Sequence, residues 1–226
     1  MAGPTLCFYA FEQGPRFAAR ASYGTLVGLV AIPCFCVAYA YSGKRARWPV
    51  SLLAGWSSFL LALLLFKEIQ ADVVATWVLL AAACTIGYRV LPMPLSIAPG
   101  PPHSKWDLPL RMTAAAALVV VLTGAADRLG PEWSGLLAPF PVATAIIAAF
   151  THAQRGVDSV VVYFRGFLPA LVSFGLFCLV LALALEPFGL TVALLLALAA
   201  QLSTQSITLW SMTRVDRTQT GGTQAP

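Results

Sequence analysis

The sequence has little charge and few groups that could carry out a reaction. Only 10% of the 226 residues are charged and only two are histidines, which we expect in different loops. The sequence contains neither a Gly-x-Ser-x-Gly motif nor a glycine-rich phosphate loop before a helix. Because covalent catalysis needs a nucleophile and a base within hydrogen-bonding reach, we expect that the protein is not an enzyme and that it holds no cofactor.

Cysteine is also scarce, and its spacing does not suit a metal site. The five cysteines all lie in apolar runs, and no Cys-x-x-Cys spacing is present. In a helix, Cys34 and Cys36 would point about 200° apart, so that they could not share a metal ion. We therefore expect small buried apolar side chains at these positions and no metal site.

Apolar side chains are abundant: they make up 59% of the chain, and the mean hydropathy is +0.80. About 20 apolar residues cross a bilayer as a helix, because every backbone polar group must be paired there. Segments near this length are 17–41, 48–66, 73–90, 108–126, 134–151, 166–185 and 188–212. The sequence thus predicts an all-α, polytopic integral membrane helix bundle of about seven spans, with a short N-terminal half-helix at Thr5 to Phe11.

The net charge of +5 lies in short connections between these segments, where it indicates orientation and does not indicate nucleic-acid binding. The side that carries the 43–47 loop has an excess of Lys and Arg, whereas the opposite side has a small excess of Asp and Glu. Positive residues collect on the cytoplasmic face. We expect the 43–47 loop, the 92–107 loop and the C-terminus to be cytoplasmic, and we see no signal peptide.

Two parts of the chain look like copies of one unit. Glu12-Gln13-Gly14 precedes Gly24 at the same spacing at which Gln154-Arg155-Gly156 precedes Gly166, an offset of 142 residues. At this offset the identical pairs are Gly14/Gly156, Gly24/Gly166, Leu26/Leu168, Leu29/Leu171, Val30/Val172, Phe35/Phe177, Cys36/Cys178, Ala40/Ala182, Val50/Val192, Leu52/Leu194 and Leu53/Leu195. The pattern predicts an internal duplication.

Segment 73–90 has no partner in either copy. One extra span after a unit with an even number of spans returns the chain from the other side, so the second copy should be inverted. We therefore expect a first repeat at 1–66 that is truncated at its N-terminus, and a linker span with a proline-rich loop at 67–107. The second repeat of four helices would cover 108–213, before a disordered tail at 214–226.

Three stretches of the second copy carry a family resemblance. Leu108 to Gly124 is rich in alanine, Gly135 to Pro141 is a Gly-Leu run that ends in Phe-Pro, and Gln154 to Asp158 holds Arg-Gly before an acidic residue. This order resembles the GlpM-type small bacterial membrane proteins, and the first copy keeps a weaker version. The resemblance implies a bacterial inner-membrane protein with a link to exopolysaccharide production, and it supplies no substrate.

Helix breakers at matching places in the two copies are the first candidates for a binding site. Pro33 lies near the middle of its span and aligns with Gly175. Interrupted helices expose backbone groups that can hold a substrate. The alternative is that both residues only permit kinks or close packing in a membrane helix.

Ionisable and polar residues in or near the spans form the second set of candidates: Glu12, Arg16, Arg20, His152, Arg155, Asp158 and Arg165. Arg165 lies two turns into its predicted helix, where a charge is costly. Alternatively, Arg165 extends to the headgroups and Asp158 pairs locally. The last span adds Gln201, Thr204, Gln205 and Thr208, spaced to bond across helices or to line a cavity.

We expect a transporter or flippase for a small-molecule or lipid-linked substrate, in which one repeat rocks against the other. The expected substrate-binding residues are Glu12, Arg16, Pro33, Arg155, Asp158, Arg165 and Gly175. The alternative is a non-transporting membrane scaffold in an envelope or exopolysaccharide assembly. A polar cavity between 17–41 and 157–185 would favour transport, whereas a dry interface would favour the scaffold. The bilayer is the expected partner, and the choice between a homodimer and an envelope complex stays open.

Overall fold

The computed structural model describes residues 15–66, 71–95, 107–129 and 140–220, and all regular structure in these ranges is helical. The helices are α1 (Pro15–Leu29), α2 (Ile32–Gly43), α3 (Trp48–Phe66), α4 (Val73–Val90), α5 (Asp107–Leu129), α6 (Val142–Arg155) and α7 (Val157–Thr220). The predicted half-helix at Thr5 to Phe11 and most of the proline-rich connector lie outside the described residues. The all-α prediction is confirmed for the part of the chain that is described.

Four helical stretches are long and apolar enough to cross a membrane: Ala21–Gly43, Trp48–Phe66, Val73–Val90 and Val157–Thr208. The predicted segments 48–66 and 73–90 have the bounds that the sequence indicated. The predicted spans 166–185 and 188–212 both belong to α7. Segment 108–126 lies within α5, and 134–151 is described only from residue 140 onwards, mostly as α6. The protein is therefore an integral membrane protein with helical spans.

The predicted span 17–41 is interrupted at Val30 and Ala31, between α1 and α2. Here the backbone N–H of Val30 donates to the carbonyl of Val27 at 3.2 Å, and that of Ala31 donates to Gly28 at 3.3 Å. Pro33 in the first turn of α2 has no N–H to offer to the preceding turn. The i→i−3 hydrogen bonds of Val30 and Ala31 form a tighter turn just upstream of Pro33.

Single glycines in a left-handed region join helices without a loop. Gly156 (φ 81°, ψ 172°) separates α6 from α7, and Gly189 (φ 72°, ψ 174°) lies inside α7. Other residues rarely adopt a positive φ, so both positions favour glycine. Gly189 divides α7 into a first arm, 157–188, and a second arm, 190–220. The second arm remains helical to Thr220, well into the segment that we predicted as a tail.

Aromatic side chains from α2, α3, α7 and the start of α6 fill the core. The ring of Phe35 lies 6.2 Å from that of Phe164, and Tyr39 lies 5.8 Å from Phe164. Phe140 packs against Phe59 at 5.5 Å between ring centroids. Large apolar side chains on the outer faces of α3, α4 and α5 are exposed, as expected for helices that contact lipid.

The burial pattern of α1 to α3 recurs in α7 at the offset of 142. The pairs buried at both positions are Ala18/Val160, Ser22/Phe164, Leu26/Leu168, Leu29/Leu171, Ala31/Ser173, Pro33/Gly175, Phe35/Phe177, Cys36/Cys178, Tyr39/Leu181, Gly43/Leu185, Ser51/Ala193 and Gly55/Ala197. Most of these pairs differ in residue type. These twelve positions are therefore buried in both segments, including pairs whose side chains differ.

Candidate functional site

Pro33 is buried where α2 meets α4. A methyl group added to Gly87 of α4 would lie 3.3 Å from the Cβ of Pro33 and 3.4 Å from the Cδ1 of Leu168. Gly87 thus lets α4 approach α2 and α7 at the same point. Helix α4 therefore packs closely against Pro33, next to the break.

Gly175 is also buried against α4, at a different level. A methyl group added there would collide with the Cδ2 of Leu80 and would lie 3.4 Å from both Leu26 and Trp77. Leu80 and Gly87 are two turns apart on α4, a separation of roughly 10 Å. The structure thus places Pro33 and Gly175 against the same helix, α4, at levels about two turns apart.

Arg165 lies at the C-terminal end of α4. Its Nη2 donates to the carbonyl of Leu91 at 3.0 Å, and its guanidinium lies 5.1 Å from the ring centroid of Tyr88. The last carbonyls of a helix lack helical donors and carry partial negative charge, so a cation is favourable there. Its Nε is buried and has no hydrogen-bond partner among the described residues. The guanidinium of Arg165 thus contacts protein groups, and its Nε–H is left to donate to a further partner.

Tyr23, the counterpart of Arg165 at the offset of 142, lies at the other end of α4. Its hydroxyl donates to the carbonyl of Ala71 at 2.6 Å, just before the helix begins. Between these ends, one face of α4 is buried at Thr76, Leu80, Cys84, Gly87 and Leu91. Two residues that are related by the offset of 142 therefore bind opposite ends of the same helix.

We call the interface of α1 and α2 with the first arm of α7, together with α4, the seam. It is apolar and close-packed in the described residues, and the Thr76 hydroxyl bonds only within its own helix, at 2.8 Å from the Asp72 carbonyl. Ser173, the counterpart of Ala31 at the break, is fully buried, and its hydroxyl has no hydrogen-bond partner in the described part of the chain. At Gly87 and Gly175, side chains of the neighbouring helices lie close enough to contact or collide with an added methyl group, so the seam is tightly packed at these two points.

A polar cleft of about 360 Å³ lies between the first turn of α5 and the last turn of α6. The Nε of Arg111 pairs with the Oδ2 of Asp107 at 3.0 Å, and the Nε2 of Gln154 donates to the Oδ1 of Asp107 at 2.5 Å. Arg155 also lines the cleft and is exposed. Arg155 is thus a predicted binding residue that the structure places in a polar cleft.

The cleft belongs to one end of the bundle, which we call the basic end. Lys44, Arg45 and Arg47 are exposed in the loop after α2. A methyl group added to Gly43 would lie 3.1 Å from the Cε1 of His152, so this loop lies beside the junction of α6 and α7. The Tyr41 hydroxyl donates to the Val90 carbonyl at 2.9 Å, which places the end of α4 there as well.

His152 lies at the basic end, at the junction of α6 and α7. It lies beyond the predicted span 134–151, and its Nδ1 is 3.3 Å from the hydroxyl of the buried Tyr39. Burial lowers the pKa of His152 below its ordinary value of 6.5. The neutral imidazole is therefore favoured, and its Nδ1 can accept the Tyr39 hydrogen bond when the proton is on Nε2.

The second arm of α7 carries a polar stripe, formed by Gln201, Thr204, Gln205 and Thr208, which are all half-buried. The two threonine hydroxyls donate to carbonyls of their own helix at 2.9 Å. The amides of Gln201 and Gln205 have no hydrogen-bond partner within the described ranges. Their half-buried state at this depth was not foreseen, because the sequence alone does not show which face another helix covers.

The remaining predicted residues are separate from these features. Glu12 lies outside the described residues, as does the side chain of Arg16, although its backbone belongs to α1. Asp158 is in the first turn of α7 at the basic end, where it interacts with a neighbouring group. A scan against protein-family models and searches of curated proteins and of solved structures find no match to this chain.

Proposed function

We propose that the protein is a scaffold subunit of a bacterial inner-membrane assembly and that it binds a transmembrane helix of a partner along the polar stripe. The stripe is the observation that carries this proposal. Gln201 lies twelve residues beyond Gly189, a rise of roughly 18 Å, which is near the middle of a hydrocarbon layer of about 30 Å. A glutamine amide at that depth is favourable only when its donors and acceptor are paired.

The equivalent face of α3 supports this choice of partner. Phe59 is the counterpart of Gln201, and the ring of Phe140 covers it at 5.5 Å and also contacts Trp56 at 5.6 Å. Leu198, the counterpart of Trp56, is 46% exposed. A partner helix on the second arm of α7 would occupy the place that the start of α6 takes on α3. Polar groups on that helix would satisfy the two amides.

Two repeats of opposite orientation would account for the contacts of α4. Pro33 meets Gly87, and its counterpart Gly175 meets Leu80; Gly87 also lies near Leu168, and Gly175 lies near Leu26. Exchanging the two copies thus exchanges the two ends of α4, which supports a two-fold axis in the membrane plane. The excess of Lys and Arg supports placing the basic end, and with it the C-terminus, in the cytoplasm.

The test is co-purification from membranes in lipid nanodiscs, with proteins identified by mass spectrometry. The double variant Gln201→Leu/Gln205→Leu should lose a partner that the wild type retains, because its stripe has no amides to pair. Ser203→Leu/Ser206→Leu alters exposed positions on the opposite face of the same arm and should retain it. A wild type without any stoichiometric partner, or a partner kept by both variants, would contradict the scaffold proposal.

Transport is the second candidate, and the break between α1 and α2 favours it. Pro33 leaves the Leu29 carbonyl without its helical donor, and the Ser173 hydroxyl at the matching position is buried without a partner in the described residues. Rocking of one repeat against the other would open the seam and expose these groups to water. The lipid-linked or small-molecule substrate would then bind near Pro33, Gly175 and Arg165.

Solvent access to the seam separates the two candidates without knowledge of a substrate. We would replace the native cysteines, introduce Ser173→Cys, and treat vesicles of both orientations with a membrane-impermeant maleimide. A scaffold should stay unlabelled from both sides, whereas an alternating-access transporter should be labelled from each. Ser159→Cys is the matched control, because Ser159 lies in the first turn of α7 at the basic end and should react from one side only.

A further inference from the structure

The cleft at the basic end has a fixed wall and a free cation. Both oxygens of Asp107 are engaged, one by the Nε of Arg111 at 3.0 Å and the other by the Nε2 of Gln154 at 2.5 Å. Arg111 also lies 5.3 Å from the ring centroid of Phe150. These contacts hold α5 against α6 and neutralise the one carboxylate of the cleft, so that it does not repel an anion.

Two groups in the cleft are left for a ligand. The exposed guanidinium of Arg155 and the hydroxyl of Thr151 have no hydrogen-bond partner in the part of the chain that the structure describes, and both line the cleft. One carboxylate against two guanidinium groups leaves a net positive charge. A guanidinium presents parallel N–H donors that match two oxygens of one phosphate group.

The surroundings of the cleft indicate that its ligand also has an apolar part. The cleft lies at the ends of two apolar helices, and Leu108, which also lines it, is 66% exposed. A ligand with a phosphate and an adjoining hydrocarbon chain satisfies both surfaces. Basic pockets between membrane helices on the cytoplasmic side bind the headgroups of anionic lipids.

We propose that this cleft binds the phosphate of an anionic phospholipid headgroup, with Arg155 and Thr151 as the contacting residues. The shared chemistry of the ligand is a phosphate oxygen pair, which a soluble phosphate ion could also supply. The lipid is favoured because the exposed Leu108 adds to the cleft an apolar surface that a hydrocarbon chain can contact. This proposal holds for a scaffold and for a transporter alike, and it does not depend on the polar stripe.

The experiment is thermal unfolding of the purified full chain in neutral detergent with added short-chain phosphatidylglycerol. The lipid should raise the unfolding temperature, and Arg155→Gln should weaken its apparent affinity about tenfold, since a charge-assisted hydrogen bond is lost. Thr151→Val should weaken it about threefold. Arg89→Gln is the matched control: Arg89 is exposed at the basic end but does not line the cleft, so the lipid shift should be unchanged.

Two further ligands, phosphatidylcholine and inorganic phosphate, test the specificity and the source of the phosphate group. Phosphatidylcholine, which has the same phosphate but no net charge, should give a much smaller shift. An equal shift with phosphatidylcholine, or an equal lipid shift in Arg155→Gln and Arg89→Gln, would overturn the proposal. If inorganic phosphate alone reproduces the Arg155-dependent shift, the cleft belongs to a soluble phosphate compound and the lipid assignment is overturned.

Discussion

α3 and the second arm of α7 are related by the offset of 142 in sequence, and they begin with the same burial pattern. Ser51 and Gly55 of α3 are buried, as are their counterparts Ala193 and Ala197. Farther along, the two helices diverge, because Phe59 is fully buried whereas its counterpart Gln201 is half-buried. Two helices that are related by the offset of 142 thus differ, because α3 has a buried apolar face where the second arm of α7 has a half-buried polar face.

The difference between these two helices shows that polar side chains on a membrane helix can mark a surface that needs a partner. Uncovered surfaces in a bilayer are normally apolar, as the outer faces of α3 and α4 are. Phe140 covers the far part of α3, and its side chains there are apolar. The second arm lacks such a cover in the described residues and carries amides. The comparison therefore depends on two properties that can be changed separately, the packing of α3 and the polarity of α7.

Gly55→Val should have the largest effect on stability, because it disrupts the packing of α3 against α2. A Cβ at Gly55 would lie only 2.8 Å from the ring of Phe35. Forcing α2 and α3 apart should reduce the free energy of unfolding by about 3 kcal/mol, measured by thermal unfolding in detergent. Gly24→Val is the control, since nothing lies within 4 Å of a Cβ at that position. Equal losses would mean that valine acts through helix propensity and not through packing.

Phe59→Ala against Gln201→Ala compares the equivalent positions directly. The bilayer is as apolar as the core, so removing the Phe59 ring forfeits mainly its contacts with Phe140 and Trp56. We expect a loss of about 2 kcal/mol. In the isolated chain Gln201→Ala should stay within about 0.5 kcal/mol. Thermal unfolding of both variants in detergent, without denaturant, measures these losses. A large loss of stability for Gln201→Ala would show that the stripe already has a partner inside the chain.

The smallest effect concerns α6, which covers α3, through the pH dependence of stability. Because burial lowers the pKa of His152, the unfolded chain binds more protons than the folded chain below an ordinary pKa of 6.5. Stability should therefore fall as the pH is lowered from about 7 to about 5. His152→Gln should flatten this part of the profile in thermal scans. A profile that rises toward low pH would contradict the description of His152 as a neutral acceptor.

The sequence predicted those features that the bilayer itself imposes. A helix that crosses lipid must be apolar over its whole length, so the bounds of α3 and α4 are visible as uninterrupted apolar runs between charged or polar residues. The offset of 142 also indicated which residues share an environment. Pro33 and Gly175, for example, are both buried against α4.

The partners across helices could not be predicted in this way. In a uniformly apolar segment such as α4, no periodic pattern marks the buried face, so its position along the seam was not foreseen. Arg165 was identified as a charge that is unfavourable inside a membrane span. Its hydrogen-bond acceptor, the carbonyl of Leu91, is distant in sequence and was not predicted. The break at Val30 and Ala31 lies upstream of Pro33, because proline removes the donor for the preceding turn.

Gly156 and Gly189 each join two helices through a single residue, without a loop between them. Each is one residue in an extended, positive-φ conformation, with helix on both sides. α6 and the two arms of α7 therefore behave as three rods connected by one-residue joints. Tilting α6 moves the first arm at its end, and that arm in turn displaces the second. A load applied to the polar stripe would be transmitted through Gly189, the first arm and Gly156 to the cleft at the last turn of α6.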